Sequence, residues 1–177
     1  MIETERLILR PWREGDREPF AAIIGDPLVG AWLGGVLSRD QAGAAFDRML
    51  AFWSEHHHGQ FAAERKIDGV LVGRVGVRRV PLGWNHPMGG EVEVGWLLAR
   101  DAWGSGYATE AGAAVLSWGF EVLAVPEIYS WTARTNHRSE AVMQRIGMVR
   151  APDHDFDHPD LAADDPLRPH VVYVTPP

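Results

Sequence analysis

The segment from Glu91 to Ala133 constrains the fold more than any other part of the chain. Glu91 to Leu98 reads as an apolar strand, Ser105 to Leu123 carries Ala111, Val115, Trp118 and Val122 at helical spacing, and Ile128 to Ala133 is again strand-like. Pro126 closes the helix. A strand, a helix and a strand in succession imply a right-handed parallel crossover inside a mixed sheet. At the first junction stands Trp103-Gly104-Ser105-Gly106-Tyr107-Ala108. Its glycines let the backbone approach a ligand closely, and the first helical N–H groups lack intrahelical partners. With roughly half a positive charge at the helix start, the junction suits an anion. Glycine spacing alone fits a plain tight turn equally well.

Two other phosphate loops are excluded. A nucleotide-binding loop of the Walker type ends in Gly-Lys-Ser/Thr, and no such triplet occurs. A dinucleotide fingerprint needs a third glycine where Thr109 stands, and an acidic residue at the end of the next strand, which Ile128 to Ala133 lacks.

Around this unit the remaining elements follow from local signals. Arg6 to Arg10 reads as a strand stopped by Pro11, and Gly15 to Ile24 as a short helix before the breaker pair Asp26-Pro27. A longer helix begins at Ser38, where Gln41 completes a capping box, and Ala42, Ala45, Phe46, Met49 and Trp53 keep the helical period to His56-His57-His58. Gln60 to Lys66 and Val70 to Val80 predict a hairpin with a type I′ turn at Asp68-Gly69. After the loop Pro81 to Gly90 comes the crossover unit. A helix from Asn136 to Ile146 follows, ended by Gly147, with a further short strand near Met148 and a last one from His170 to Val174. The predicted order is β-α-α-β-β-β-α-β-α-β(-β), an α+β (mixed α/β) fold with a central mixed sheet flanked by helices, in one domain of residues 1–177.

Composition narrows the chemistry. There is no cysteine, so disulfides, thiolate metal sites and a cysteine nucleophile are absent. The net charge of −7 argues against general nucleic-acid binding and mildly favours cationic ligands. Acidic residues in Met1 to Arg6 do not suit a signal peptide, and no apolar run reaches membrane-spanning length, so a soluble, cytoplasmic protein with no membrane partner is expected.

Trp103 to Ala108 resembles the coenzyme A pyrophosphate loop of GNAT-superfamily acetyltransferases, [Gln/Arg]-x-x-Gly-x-[Gly/Ala], in which Gly106 and Ala108 fit and Trp103 replaces the usual Gln or Arg. That replacement is common in the RimJ/RimL-like branch, which acetylates N-termini of ribosomal proteins. The same branch is resembled by Glu3-Thr4-Glu5-Arg6-Leu7-Ile8-Leu9-Arg10-Pro11, by Tyr107-Ala108-Thr109-Glu110-Ala111, and by Asn136-His137-Arg138-Ser139 with Ile146-Gly147-Met148. The pieces occur in family order from about Thr4 to Val174. The resemblance implies a GNAT fold with acetyl-CoA as acyl donor, held by Trp96, Leu97, Leu98, Trp103, Gly104, Ser105, Gly106, Tyr107, Ala108, Thr109, Asn136 and Arg138. It also implies that the strand containing Gly95-Trp96-Leu97-Leu98 splays from Tyr129-Ser130-Trp131, with the pantetheine arm in the gap. Gly95 fits either a close ligand approach or bulge, or a packing role.

Acyl transfer needs a neutral amine, an oxyanion donor and a hydrogen bond to the departing thiolate. Without cysteine, direct attack by the amine is the simpler route. By resemblance, a backbone N–H near Trp96 is the oxyanion donor, and Ser139 donates to the thiolate. Asn136 then fixes the cofactor arm or the local backbone, although Asn136 is also a preferred N-cap residue with Ser139 in the first turn. Glu93 is the second catalytic candidate. It relays a proton through water, or else forms an ordinary salt bridge with Arg74 or Arg78 on the neighbouring strand. Arg134, like Arg138, is a candidate for neutralising coenzyme phosphates. The run Asp153 to Asp160 reads as a solvated acidic loop facing a cationic amine rather than a metal site, and no metal is expected.

The expected activity is acetyl-CoA-dependent N-acetylation of a primary amine, with a peptide N-terminal α-amine as first choice. A small amine (polyamine, amino acid or antibiotic) and a non-catalytic acyl-CoA sensor are the alternatives. The sequence leaves open the oligomeric state, with a homodimer among the options, and the choice of acetyl or a longer acyl group.

Overall fold

The computed structural model describes residues 1–82 and 86–175, so the tip of the loop predicted from Pro81 to Gly90 lies outside the described residues. Among them, nine strands make one sheet: β1 (Ile2–Glu3), β2 (Leu7–Arg10), β3 (Gln60–Arg65), β4 (Leu71–Arg79), β5 (Val92–Leu98), β6 (Ile128–Ala133), β7 (Val149–Arg150), β8 (Phe156–Asp157) and β9 (Pro169–Thr175). Their order is β1-β2-β3-β4-β5-β6-β9-β7, with β8 also paired to β9. Every pairing is antiparallel except β5 with β6, the parallel pair that the crossover requires.

Among the described residues, five α-helices cover the sheet: α1 (Arg17–Ile24), α2 (Pro27–Gly30), α3 (Arg39–His56), α4 (Tyr107–Leu123) and α5 (His137–Arg145). On one face, Val75, Val77, Val94 and Leu98 pack with Ala111, Val115 and Leu116 of α4. On the other, Ala62, Leu71 and Leu97 pack with Trp12, Phe20 of α1 and Phe46 of α3. Each fully buried side chain of this size contributes roughly 1.5–3 kcal/mol. The α4 helix lies close to the sheet because Gly119 faces it; a Cβ there would stand 3.0 Å from Ile128 and 3.2 Å from Val77.

The capping box at Ser38 forms as expected, the Gln41 N–H donating to Ser38 Oγ and the Ser38 N–H to Gln41 Oε1. Four local expectations are corrected. Asp26-Pro27 does not merely break the chain: the Asp26 carboxylate accepts from the Leu28 N–H, and Pro27 opens α2. The β3–β4 turn is not type I′, since only Gly69 (φ +69°) has a positive φ; a four-residue loop is closed by the Arg65 N–H on the Val70 carbonyl. The buried stripe of α4 is Ala111, Gly112, Val115, Leu116 and Gly119, whereas Val122 is exposed. Finally, β1 and β8 are additional strands, each only two residues long and so without a readable period.

Candidate active site

The sheet forks where the topology changes. The parallel register of β5 and β6 holds at one pair, Glu93 opposite Tyr129. Beyond it β5 stays in register with β4 as far as Leu98, while β6 stays with β9 as far as Ala133. Each strand follows its antiparallel partner, and the two ribbons part. The Ala99 N–H donates to the Val72 carbonyl on the β4 side, so alternation turns the backbone groups of Val94, Trp96 and Leu98 toward the fork. The Leu98 carbonyl accepts the Trp103 indole N–H at 2.9 Å. Trp96 has no strand opposite its backbone there. A ligand arm carrying amide groups fits such an edge, because backbone donors and acceptors seek partners.

Gly95 stands in unbroken register opposite Gly76, which removes the bulge. A Cβ at Gly95 would meet nothing closer than Gln60 Nε2 at 3.9 Å. Packing does not require glycine here, so close approach is the reading that survives.

The predicted anion turn lies at the open end of the fork. Gly104 (φ +76°) and Gly106 (φ +81°) are left-handed, and Gly106 is the N-cap of α4. Gly104, Ser105 and Gly106 are exposed, leaving the first N–H groups of the helix open to a ligand. A latch reaches this turn from the N-terminus. Glu110 accepts from Thr4 Oγ1 at 2.6 Å and from the Arg6 backbone and Nε, both at 2.7 Å. Arg6 also donates to the Ser105 carbonyl at 2.8 Å and lies over the Tyr107 ring. Burial opposes the Glu110 charge, but the hydrogen bonds from Thr4 and Arg6 outweigh it and hold the carboxyl below its ordinary range. Trp103, besides its bond to Leu98, carries on its ring the Arg138 guanidinium, 4.8 Å from the centroid. Arg138 is thereby held beside the turn, whereas Arg134 lies 4.0 Å from Asp155.

Asn136 is the N-cap of α5, its Oδ1 accepting from the Ser139 N–H and its Nδ2 donating to Ser139 Oγ, both at 3.3 Å. Both hydrogen bonds are long, and Ser139 Oγ keeps its own proton to donate. The sheet and α4 meet through Trp96; a Cβ on Gly112 would lie 3.7 Å from its ring.

On the opposite face, Arg74 and Leu97, Gly76 and Gly95, and Arg78 and Glu93 are successive cross-strand pairs. Of these, Arg74, Arg78 and Leu97 line a cleft of about 420 Å³ walled by Phe20, Leu37, Met49 and Trp53. Gln60 also lines it, and two indoles fix that residue: Trp12 and Trp53 Nε1 both donate to its carbonyl at 2.7 Å. Glu93 is buried and its Oε1 accepts from Arg78 Nε, so of the two readings the ion pair is present. The cleft's walls went unread in the sequence. Their only signal was the periodicity of α1 and α3, which marks buried residues without saying what they face.

Across the fork, Tyr129, Trp131 and Phe156 form an aromatic wall with His86. Tyr129 donates to Glu127 Oε2 at 2.6 Å, and with burial this pushes its hydroxyl up to about 12. The acidic loop is less solvated than expected. Asp155 accepts from Arg150 Nη2 and, at 3.0 Å, from the Val172 N–H, which secures the loop to β9.

The comparisons agree with this geometry. A family model described as an acetyltransferase (GNAT) domain matches residues 6–149. An uncharacterized N-acetyltransferase, YoaA, of Bacillus subtilis (strain 168) is 26% identical over 152 residues, covering 85% of this chain and 83% of that protein. The crystal structure of an acetyltransferase from Agrobacterium tumefaciens str. C58 is 31% identical with a TM-score of 0.77, over 98% of this chain and 92% of that one. A spermidine N-acetyltransferase from Vibrio cholerae, solved with CoA and spermine, shares the fold at 16% identity and a TM-score of 0.74, over 97% and 95% of the two chains. The forked sheet, the glycine turn that opens α4 and the family match across residues 6–149 together show that this chain is an acyltransferase belonging to the GNAT acetyltransferase family.

Proposed function

We propose that residues 1–177 form one N-acetyltransferase domain that transfers an acetyl group from acetyl-CoA directly to a primary amine, the first-choice acceptor being a peptide N-terminal α-amine. The observation that carries this reading is the β5–β6 fork beside an exposed glycine turn at a helix start. When bound, acetyl-CoA supplies the thioester. The N–H groups of Gly104 to Thr109 and the charge of Arg138 hold its pyrophosphate, and the backbone of Trp96 and Leu98 receives its amide arm, the Leu97 backbone between them being turned to β4. The Trp96 N–H stabilises oxyanion charge. The amine nitrogen bonds to the acyl carbon, the C–S bond breaks, and Ser139 Oγ donates a hydrogen bond to the departing thiolate. Glu93, with Oε1 engaged by Arg78, has Oε2 left to pass the amine's proton to water. No enzyme thiol takes part, since the chain has no cysteine.

A peptide α-amine titrates near 7.7–8.0 and a lysine side chain near 10.4, a difference of roughly 3.4 kcal/mol in deprotonation. The branch resemblance and this easier deprotonation favour the α-amine. The cleft's size, about 420 Å³, supports a second reading in which the acceptor is a whole small molecule. Thiol release should be measured with N-terminal peptides, lysine peptides and small amines. Release with peptide α-amines is expected, preference for lysine side chains defeats the first choice, and coenzyme binding without release from any amine defeats catalysis.

A further inference from the structure

The acceptor cleft is electropositive in a chain whose net charge is −7. Arg48, Arg74 and Arg78 all line it, no carboxylate is among its described lining residues, and Glu93 on the neighbouring strand is engaged by Arg78. Arg74 has neither a hydrogen bond nor an ion pair among the described residues. It is only partly exposed, on a central strand between Ala62 and Leu97. Burial and the neighbouring Arg78 pull its guanidinium down to about 10, with Glu93 offsetting part, so it remains charged at neutral pH.

A partly buried cation with no direct ion pair or hydrogen bond is costly, and the walls around this one (Phe20, Leu37, Met49 and Trp53) offer no anion. A guanidinium also presents a planar fork that matches a carboxylate in two parallel hydrogen bonds. We infer that Arg74 is a specificity-determining residue that binds a carboxylate on the acceptor, so that this enzyme selects amines bearing a nearby acidic group and rejects polycations. The inference rests on the acetyltransferase reading of the fork. It gives the arginines a second effect: cations beside the bound amine disfavour its ammonium form and keep more of it nucleophilic. The carboxylate has two possible sources, the α-carboxylate of a free amino acid or an acidic side chain following a peptide N-terminus.

Two matched pairs separate them: serine against serinamide, and a peptide beginning Ser-Glu against one beginning Ser-Gln. The acidic member of one pair should show kcat/KM about tenfold or more above its neutral partner, and that pair names the source. Spermidine should be poorer than either. In Arg74→Met the preference should collapse to within about twofold, and Arg74→Lys should restore part of it through charge alone. A native preference below about twofold in both pairs overturns the inference, as does a preference that survives Arg74→Met. Calorimetry on the unmutated protein with coenzyme A and the four N-acetylated products needs neither turnover nor a variant. Tighter binding of an acidic product by about tenfold supports the carboxylate site, and equal binding within both pairs overturns it. Silence of every amine in the thiol assay together with that binding difference would sink catalysis while leaving the carboxylate site standing.

Discussion

The glycine turn that opens α4 and the arginine-lined cleft lie on opposite faces of one sheet, and they are built in opposite ways. The turn is one continuous stretch, Trp103 to Ala108, whose conformation is set by two left-handed glycines and secured by a latch of Thr4 and Arg6 from the N-terminal end. The cleft has no such stretch. Its floor comes from β3, β4 and β5, its walls from α1 and α3, and its polarity from arginines that differ only in their partners. A backbone site can be written in a short motif because main-chain N–H groups do the binding. A side-chain site depends on which residues the topology brings face to face.

The largest effect that would test this contrast is at the turn itself. Gly106→Val puts a β-branched side chain at φ +81°, and a Cβ there already stands 3.4 Å from the Arg6 guanidinium. Coenzyme A affinity, followed by tryptophan fluorescence, should fall on the order of 100-fold, given a strain of about 1–3 kcal/mol plus the blocked approach. Unchanged affinity would mean that the turn does not receive the coenzyme.

Acidification should separate the two sides by order of failure. Burial, helped by His158 and Arg78, lowers His86 in the aromatic wall across the fork from 6.5 to about 4. The folded chain therefore holds it neutral while the unfolded chain protonates it. Stability from this group is intact above about 6.5, falls between about 6.5 and 4, and levels off below. The loss is on the order of 3 kcal/mol, and His86→Gln should flatten it in melting curves taken across that range. The turn's latch behaves differently. The Glu110 carboxyl is held low, so its contribution persists above the ordinary glutamate range and is lost only as pH falls through its folded value. Hydrogen exchange should show the wall loosening first, and the reverse order would break the comparison.

Glu110→Ala should cost about 1.5 kcal/mol, because it strips Thr4 and the Arg6 backbone N–H of their acceptor, while the exposed Arg6 side chain loses little to solvent screening. Coenzyme affinity should weaken with it, since Arg6 would no longer be held on the Ser105 carbonyl. The smallest effect is expected from Ser139→Ala, a fall in kcat of about tenfold, or 1.4 kcal/mol, with coenzyme affinity preserved. An unchanged kcat would leave Ser139 as a first-turn residue capped by Asn136.

Much of the fold was legible. The capping box at Ser38, the helix beginning at the Gly106 turn and the crossover from β5 to β6 each follow from spacings within about 30 residues, where local geometry dominates. Short range also produced the errors. Asp68-Gly69 carries the composition of a type I′ turn, yet Asp68 keeps a negative φ because the loop is longer by two residues. Val122 fits the helical period but falls past the edge of the sheet. Glu93 could be read as a base or as an ion partner, because strand alternation gives its face but not its neighbour's rotamer.

The sequence by itself determined the glycine turn, the parallel crossover and the motif pieces Thr4 to Arg6 and Tyr107 to Ala111. It could not say that two of those pieces touch, since the Thr4–Glu110 contact depends on where β1, β2 and the start of α4 come to rest. Only the tertiary structure decided that the β5–β6 register ends at Glu93, that nothing crowds Gly95, and that among the described residues Arg78 is paired with a carboxylate while Arg74 is not. The physical reason is common to all three. Hydrogen-bond register between distant strands sets which side chains meet, and charge is satisfied or left over according to that register.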